Sequence, residues 1–221
     1  MAVATRMAFI SKDNKLYFKY YTFEYFSGFA ITQKRKSIES FHNTIKKDDI
    51  INILEVSRKN ENQLGVLLSA FNLKIKIDNN SYPVECLYQS SKVFVNIQYK
   101  ECQFMEPADA KRYVKEKMEQ YSLNLTQFRF GDIIFPLNPK SLFYDYLYIL
   151  ALHQNEELAL QIINYNCFTD IEFNHKKQYA SQARSCAIYK HLYLNKCVED
   201  FLSNPIKYEC IYDNLQENYL F

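Results

Sequence analysis

Glycine is scarce in this chain, and that scarcity limits its possible folds. The 221 residues include only 3 Gly, at positions 28, 65 and 131, and 5 Pro. Tight turns often need the left-handed backbone that glycine adopts at little steric cost, so a sandwich of many short strands is disfavoured. Glycine-rich phosphate loops need closely spaced glycines, which these positions exclude. The chain is therefore predicted to be mainly helical, without either common glycine-rich nucleotide cradle.

The overall composition is typical of a globular protein. Hydrophobic residues make up 48% and charged residues 24%, which excludes disorder and fibres. A net charge of +2 is low for a protein that coats DNA by counterion release. No apolar run approaches the ~20 residues of a membrane span, and the N-terminal apolar stretch is too short for a signal peptide. We predict a soluble, cytoplasmic protein with no membrane partner.

Cysteine and histidine spacing does not indicate a metal site. None of the 6 Cys residues forms a C-x-x-C pair, so we predict buried thiols in a reducing compartment. Cys167, Asp170, Glu172 and His175 are close in sequence, but loops often hold such residues by chance. No motif pairs a Ser or Cys nucleophile with a His base. We predict no metal and no cofactor.

Hydropathy patterns predict an α+β single domain, mainly helical, with a small sheet from the N-terminal third. Residues 1–60 are expected to form a strand–helix–strand extension packed on a main domain of residues 61–221. The expected sheet strands lie at 15–23, at 49–57 and at the end of 66–77. Downstream we predict helices at about 83–96, 107–121, from 141, 156–165 and 181–195, with a short strand at 128–136 and a loop at 167–179.

The segment 81–94, SYPVECLYQSSKVF, is the richest in chemistry. A helix from Pro83 would place four polar side chains on one face, at i, i+3, i+4 and i+7, opposite an apolar face. These four are Glu85, Tyr88, Gln89 and Lys92. They could bind a substrate that has a ribose and a leaving base. The alternative is an ordinary solvated face, on which Glu85 merely favours the helix N-terminus.

Together with LSAF at 68–71, this segment resembles the NADAR family in order and spacing. The family has a [FL]-S-N-F turn, a strand, a further turn and a helix that begins Y/W-P-[ST]-x-E-x-x-[YF]-Q-x-x-K. The matching residues are Ser69, Phe71, Tyr82, Pro83, Glu85, Tyr88, Gln89 and Lys92. The resemblance extends over about residues 64–195, so residues 1–60 look like an addition to the minimal family.

The C-terminal part of the resemblance is weaker. Residues 106–112 resemble the family's P-x-x-A-K/R helix start, and 167–173 with 182–189 resemble its W-G-D-G loop and N-R-L-G helix. The Trp and both glycines of that loop are absent, and Asp170 is its matching acid. The family's Asn–Arg pair appears as Ala183 and Arg184, and the LSNF asparagine is Ala70.

NADAR proteins are N-glycosidases that act on ribose–nitrogen bonds. Some remove ADP-ribose from guanine in nucleic acids and so oppose DNA-modifying toxins. Others hydrolyse phosphoribosylamino pyrimidine intermediates of riboflavin synthesis. The resemblance thus implies a hydrolase that removes ADP-ribose from guanine bases of DNA. Its partners would be ADP-ribosylated nucleic acid or a ribosylated nucleotide-like small molecule, and a cognate toxin.

This chemistry suits the candidate residues. Cleavage of a C1′–N bond passes through an oxocarbenium-like state, which needs a carboxylate nearby and an acid for the leaving nitrogen. Glu85 and Asp170 are the acidic candidates, and Lys92 could donate a proton or add to the ring-opened sugar. Arg184 could bind phosphate. Alternatively, Asp170 is a turn residue and Arg184 a helix-surface charge.

The predicted site therefore has a catalytic and a binding part. The predicted catalytic residues are Glu85, Lys92 and Asp170, and the predicted substrate-binding residues are Ser69, Phe71, Tyr88, Gln89 and Arg184. Basic clusters at 34–36 and 175–177 would gain a use if the substrate is DNA. Three alternatives stand: the riboflavin-pathway substrate, a non-catalytic ADP-ribose or nucleotide-binding module, and a partner-binding subunit of a toxin–antidote pair.

Overall fold

The structure is a computed structural model that describes residues 2–95, 97–208 and 211. These residues form an α+β fold with eight α-helices and ten strands, as predicted for the fold class. The strands are β1 (Ala2–Lys12), β2 (Lys15–Tyr25), β3 (Ile53–Glu55), β4 (Lys74–Ile77), β5 (Asn80–Pro83), β6 (Lys92–Phe94), β7 (Ile97–Gln98), β8 (Gln127–Phe130), β9 (Ile133–Phe135) and β10 (Cys167–Thr169). The helices are α1 (Ile31–Lys46), α2 (Gln63–Leu67), α3 (Val84–Ser90), α4 (Pro107–Tyr121), α5 (Leu142–Gln154), α6 (Glu156–Ile162), α7 (Gln182–Leu194) and α8 (Val198–Ser203).

The N-terminal segment builds most of a four-stranded sheet in the order β2-β1-β10-β3. Strand β10 runs antiparallel to β1 and parallel to β3, so that Phe168 is paired with Phe9 on one side and Leu54 on the other. The prediction of a loop at 167–179 is therefore wrong at its start. Three residues are too few to show a period of two, and the strands that pair with them are distant in sequence.

The strand predicted at the end of 66–77 forms, but not in that sheet. Among the described residues, β4 pairs with β5 alone, and Asp78 takes a positive φ of 53° in the turn between them. A third sheet has the order β7-β6-β8-β9. The strand predicted at 128–136 is the β8–β9 hairpin of this sheet. The sheet structure is thus divided into three small units.

The helix predicted at 83–96 is shorter than expected, because α3 ends at Ser90 and Lys92 begins β6. Pairing with β8 accounts for the difference: the Arg129 amide donates to the Ser91 carbonyl at 2.8 Å, and the Thr126 amide to the Val93 carbonyl at 2.9 Å. β-Branched residues such as Val93 pack well on a strand surface. Tertiary pairing therefore overrides the helical spacing after about two turns.

Helix α5 forms the centre of the main core. Ten of its 13 residues are buried, and it packs against α3, α7 and β4. The buried hydroxyl of Tyr148 donates to the carbonyl of Leu68, which ties α5 to the segment that follows α2. Phe143 and Leu147 are only part of this buried surface, since α5 is enclosed on nearly every side.

Helix α1 is the amphipathic helix that the sequence predicts. Its apolar side chains Ile38, Phe41 and Ile45 are buried against the sheet. The ring of Phe41 stacks on Phe23 of β2 with centroids 4.6 Å apart. These side chains belong to a second hydrophobic cluster, which packs α1 and β2 against β1 and β10.

Two composition-based predictions can be compared with the structure. Cys86, Cys102, Cys167 and Cys186 are buried free thiols, as expected, whereas Cys197 is only partly buried and Cys210 lies outside the described residues. In the part of the chain that the structure describes, every helix is too short or too polar to cross a lipid bilayer.

Candidate active site

A cleft of about 740 Å³ opens beside α3, α5 and the loop that follows β10. This volume falls within the range of about 300–1,000 Å³ that is usual for small-molecule and cofactor sites. Seven of the eight predicted site residues line it. These are Ser69, Phe71, Glu85, Tyr88, Gln89, Lys92 and Asp170. The turn before β4, the helix α3 and the loop after β10 thus converge on one cavity.

Three side chains form a hydrogen-bonded chain across this cavity. The Gln89 amide nitrogen Nε2 donates to Glu85 Oε1 at 2.8 Å, and Lys92 Nζ donates to Gln89 Oε1 at 2.8 Å. Lys92 Nζ also lies 5.0 Å from the ring centroid of Tyr88. The predicted helical face is therefore broken at Ser91, yet its four polar side chains still come together because Lys92 follows the end of α3 closely and its side chain reaches Gln89.

Burial changes the acid–base properties of this group. Desolvation lowers the pKa of Lys92 to about 8, although the nearby Glu85 carboxylate partly opposes this effect. Desolvation also raises the pKa of the Tyr88 phenol, which keeps it neutral. An amine with a pKa near 8 has a substantial neutral, nucleophilic fraction close to neutral pH.

Asp170 comes directly after β10 and is 7% exposed. Burial raises its pKa well above the ordinary value, and the carboxylate of Glu55 raises it further. Its Oδ1 accepts a hydrogen bond from the Glu172 amide at 3.0 Å. These surroundings favour the protonated form, which can act as a general acid.

The turn that carries Ser69 and Phe71 is held by backbone bonds and by one amide side chain. The Glu85 amide donates to the Ala70 carbonyl at 2.9 Å, which joins the turn to α3. Gln182 Oε1 accepts from the Ala70 amide at 2.9 Å, and its Nε2 donates to the Val56 carbonyl. Gln182 also lines the cavity. Sequence reasoning missed it, although it lies within the segment that resembles the N-R-L-G helix.

Arg184 does not line the cavity. Its guanidinium donates to Asp145 at 3.0 Å and to the Tyr179 carbonyl at 2.8 Å. Asp145 is fully buried and also accepts from the Ser185 hydroxyl at 2.6 Å. A buried carboxylate needs such partners. The structure therefore engages Arg184 in an ion pair between α5 and α7, not at the predicted phosphate site.

The cavity walls carry more positive than negative charge. Six basic residues line it, against the three acidic residues Glu85, Asp170 and Glu172. The basic ones are Arg58, Lys59, Lys92, Lys111, Lys140 and Lys177. The Arg58 guanidinium lies 4.1 Å from the ring centroid of Phe71. Of these six, only Lys92 and Lys177 are identified from the sequence. The other four basic residues belong to no motif, so their position in the sequence does not indicate a role in the site.

The other basic cluster, at 34–36, does not itself line the cavity, although Lys34 is paired with Glu172 of the cavity wall. Lys34 Nζ lies 3.2 Å from Glu172, and the Arg35 guanidinium lies 3.4 Å from Glu61. Within residues 2–95, 97–208 and 211, no group of three or more His, Cys, Asp or Glu side chains could hold a metal ion.

The model of the DarT1-associated NADAR antitoxin family matches residues 4–219, nearly the whole chain. The chain belongs to this family. The match to the NADAR antitoxin model begins at residue 4, so it includes β1, β2 and α1 as well as the cavity. A search of curated proteins found no match.

Proposed function

We propose that this NADAR antitoxin is an N-glycosidase that removes ADP-ribose from guanine bases of DNA. It would thereby reverse the modification made by a DNA ADP-ribosyltransferase toxin. The observation that carries the proposal is the chain of Glu85, Gln89 and Lys92 in the same cavity as Asp170. A carboxylate, an amine of lowered pKa and a buried acid are the groups that cleavage of a C1′–N bond requires.

Each group has a distinct role in the proposed reaction. The ring opens when the C1′–O4′ bond breaks and the proton of the attached guanine nitrogen passes to O4′, which leaves an imine between C1′ and guanine. The neutral amine of Lys92 adds to C1′ while Asp170 protonates the guanine nitrogen, which gives an aminal. The C1′–N bond to guanine then breaks as a proton passes from the Lys92 nitrogen to the leaving nitrogen, so the base is restored and Lys92 is held as an iminium. Water adds to C1′ and the Glu85 carboxylate takes its proton; the adduct then collapses as Glu85 returns a proton to the Lys92 nitrogen and Asp170 regains one from the C1′ hydroxyl. The products are ADP-ribose, unmodified DNA and free Lys92.

The charge of the cavity supports ADP-ribose as the group that is bound. The pyrophosphate of ADP-ribose carries two negative charges, and Arg58, Lys59, Lys140 and Lys177 all line the cavity. Basic side chains bind phosphate oxygens through charge-assisted hydrogen bonds. A phosphoribosylamino pyrimidine has a single phosphate and needs fewer such partners. We therefore place ADP-ribosylated guanine ahead of the riboflavin-pathway substrate.

The proposed partner follows from the family description. A DarT1-associated antitoxin that reverses DNA ADP-ribosylation acts on the product of its cognate toxin, and it does not need to block the toxin itself. The buried free thiols suit a reducing compartment, and we propose the cytoplasm. Co-purification of the toxin with the tagged chain tests for direct contact.

The proposed activity is tested by offering two substrates to the purified protein. One is an oligonucleotide with a single ADP-ribosylated guanine, and the other is a phosphoribosylamino pyrimidine. We expect release of ADP-ribose from the oligonucleotide and little reaction of the pyrimidine. Turnover of the pyrimidine alone would favour the riboflavin-pathway function. Tight binding of the oligonucleotide without turnover would indicate a non-catalytic binding module.

A further inference from the structure

A buried chain of hydrogen bonds joins α1 to the loop that carries Asp170. His42 Nε2 lies 2.8 Å from Thr169 Oγ1, and the Thr169 hydroxyl donates to Glu55 Oε2 at 2.7 Å. The Ile171 amide donates to Glu55 Oε1 at 2.8 Å. Glu55 therefore holds both residues that flank Asp170 in the chain.

The burial of Glu55 is costly and needs an explanation. Its side chain is 1% exposed, at the end of β3, which is an edge strand of the four-stranded sheet. A buried carboxylate is tolerated only when hydrogen bonds compensate for lost hydration, and an apolar residue at such a position is often as stable or more so. Stability of the sheet alone does not require an acid here.

We propose that Glu55 is a positioning residue for Asp170: it holds the Thr169 hydroxyl and the Ile171 amide on either side of Asp170, and its negative charge keeps the proton of the carboxyl pair on Asp170. His42 and Thr169 are part of the same device, since they orient the carboxylate of Glu55. This inference deepens the proposed function and rests on the role given there to Asp170 as the acid.

Hydrogen bonding decides which of the two carboxyls carries the proton. Burial raises the pKa of Glu55, but the Ile171 amide and the Thr169 hydroxyl both oppose this effect by donating to its ionised form. For Asp170, the Glu172 and Phe173 amides lower the pKa in the same way, but the negative charge of Glu55 adds to burial and the pKa of Asp170 still lies well above the ordinary value. The shared negative charge therefore stays on Glu55, and Asp170 is the protonated partner.

His42 helps to orient Glu55 without cancelling its charge. Burial lowers the pKa of His42 to about 4, so the imidazole is neutral near pH 7. Because the Thr169 hydroxyl donates to Glu55, the Thr169 oxygen accepts from His42 Nε2, and this assigns the Nε2–H tautomer. The N-terminal helix thus contributes a side chain that acts on the cavity indirectly.

Other titratable groups surround the pair of Glu55 and Asp170, and most of them are neutral. The groups on the neighbouring elements are Glu172 in the loop after β10, Tyr144 and Tyr148 on α5, Cys186 on α7 and His42 on α1. Charged groups that line the same cavity are Glu85, Lys92, Lys140 and Lys177. Burial raises the pKa values of both tyrosines and of Cys186, which keeps them neutral across the working range. Glu55 is therefore the buried charge whose removal changes Asp170 most.

The test measures the titration of Asp170 in wild type and in Glu55→Gln. Glutamine has the same shape and still offers an acceptor to the Ile171 amide, but it has no charge. The γ-carboxyl carbon of ¹³C-labelled aspartate is followed by NMR against pH, with the Asp170 signal assigned through Asp170→Asn. We expect the apparent pKa of Asp170 to fall by about one unit or more in Glu55→Gln. Glu157→Gln, which removes an exposed acid on α6, is the control and should leave the titration unchanged.

Two further measurements distinguish a positioning role of Glu55 from a purely structural one. Thr169→Val removes a donor to Glu55 but keeps the charge, so the apparent pKa of Asp170 should fall by a smaller amount. Loss of the Asp170 proton should also move the alkaline limb of kcat for Glu55→Gln to lower pH, a change that a purely structural role would not cause. An unchanged Asp170 titration in both folded variants would overturn the inference. A wild-type protein without turnover would instead contradict the proposed function, and the titration would still test the coupling.

Discussion

At the residue scale, the properties of Lys92 come from what surrounds it. Its ammonium is held by Gln89 and lies beside the Tyr88 ring, in a cavity that removes much of its hydration. Gln89 is in turn bound to Glu85. Burial lowers the pKa of Lys92, and the Glu85 carboxylate at the other end of this chain of hydrogen bonds opposes that effect.

The first prediction separates site residues from scaffold residues on α3. Glu85→Gln and Lys92→Met should each lower kcat by about 10²-fold or more, because each removes a preorganised group of the reaction. Their melting temperatures should change little, and Lys92→Met should be at least as stable as wild type because it removes a poorly solvated ammonium. The control is Leu87→Ala, which truncates a buried side chain and should cost about 2–5 kcal/mol of unfolding free energy. Full activity of both polar variants would mean that this surface is not the site.

The second prediction concerns pH and the role of Lys92. As a nucleophile Lys92 must be neutral, so turnover should rise as pH increases through about 8, the pKa of its ammonium. Borohydride added during turnover should reduce the imine and leave ADP-ribose attached to wild type but not to Lys92→Met. A rate that instead falls through pH 8, with no trapped adduct, would show that Lys92 acts as a proton donor.

The sequence predicts those site residues that lie close together in the chain. Glu85, Gln89 and Lys92 are found from spacing and from the resemblance, and their contacts survive the break in the helix. Glu55 and Gln182 are missed because their partners lie over 100 residues away, at Thr169 and at Ala70. Arg184 is found by its type but not by its environment, since a sequence does not show the buried Asp145 that binds it.

At the element scale, the short helix α2 packs closely against the end of β3. Gly65 faces the end of β3 so closely that an added Cβ would lie 2.1 Å from the Glu55 carbonyl oxygen and 2.2 Å from Asn60 Nδ2. The Asn60 amide itself donates to that carbonyl at 2.5 Å. Glycine at this position therefore permits the close approach of helix and strand.

The third prediction tests this contact. Gly65→Ala should lower the unfolding free energy by about 3 kcal/mol or more, because a backbone carbonyl cannot move aside as a side chain can. Gly131→Ala is the matched control, since its Cβ would meet nothing within 4 Å and only its φ of 58° resists substitution. That strain costs about 1–2 kcal/mol. Equal losses in urea unfolding of the two variants would contradict the proposed packing.

Elements were predicted well where the chain repeats a pattern over many residues. The boundaries of α4 and the apolar face of α1 follow the sequence closely, because each has three or more turns. Strands β6 and β10 have three residues each, and their hydrogen-bond partners come from distant segments. Their existence is decided by tertiary pairing, which local periodicity does not encode.

At the scale of the whole molecule, the N-terminal segment and the strand that leads to Asp170 belong to the same sheet. Strand β1 pairs with β10, which leads directly into Asp170, and β3 pairs with β10 on its other side. Side chains of β1 and β2 also contribute to both major hydrophobic clusters of the described residues, and those of α1 contribute to one of them. The sequence suggested an extension here, and the pairing gives it a direct connection to the site.

The fourth prediction is that residues 1–60 are integral to the fold. A chain that starts at Asn60 should lose cooperative thermal unfolding and near-UV circular dichroism, because β10 would lose both neighbouring strands. The full-length protein is the reference. A truncated chain with unchanged melting temperature and turnover would show that this segment is dispensable.

The most direct test of the central claim identifies the products by mass spectrometry. An oligonucleotide with one ADP-ribosylated guanine is incubated, in EDTA, with wild type and with Glu85→Gln. We predict that wild type yields the unmodified oligonucleotide and intact ADP-ribose, and that Glu85→Gln yields about 10²-fold less of both in the same time. EDTA should have no effect, since no metal is needed in the proposed reaction. An unchanged substrate, a cleaved pyrophosphate or an abasic oligonucleotide with wild type would contradict the claim that this cavity hydrolyses the ribose–guanine bond.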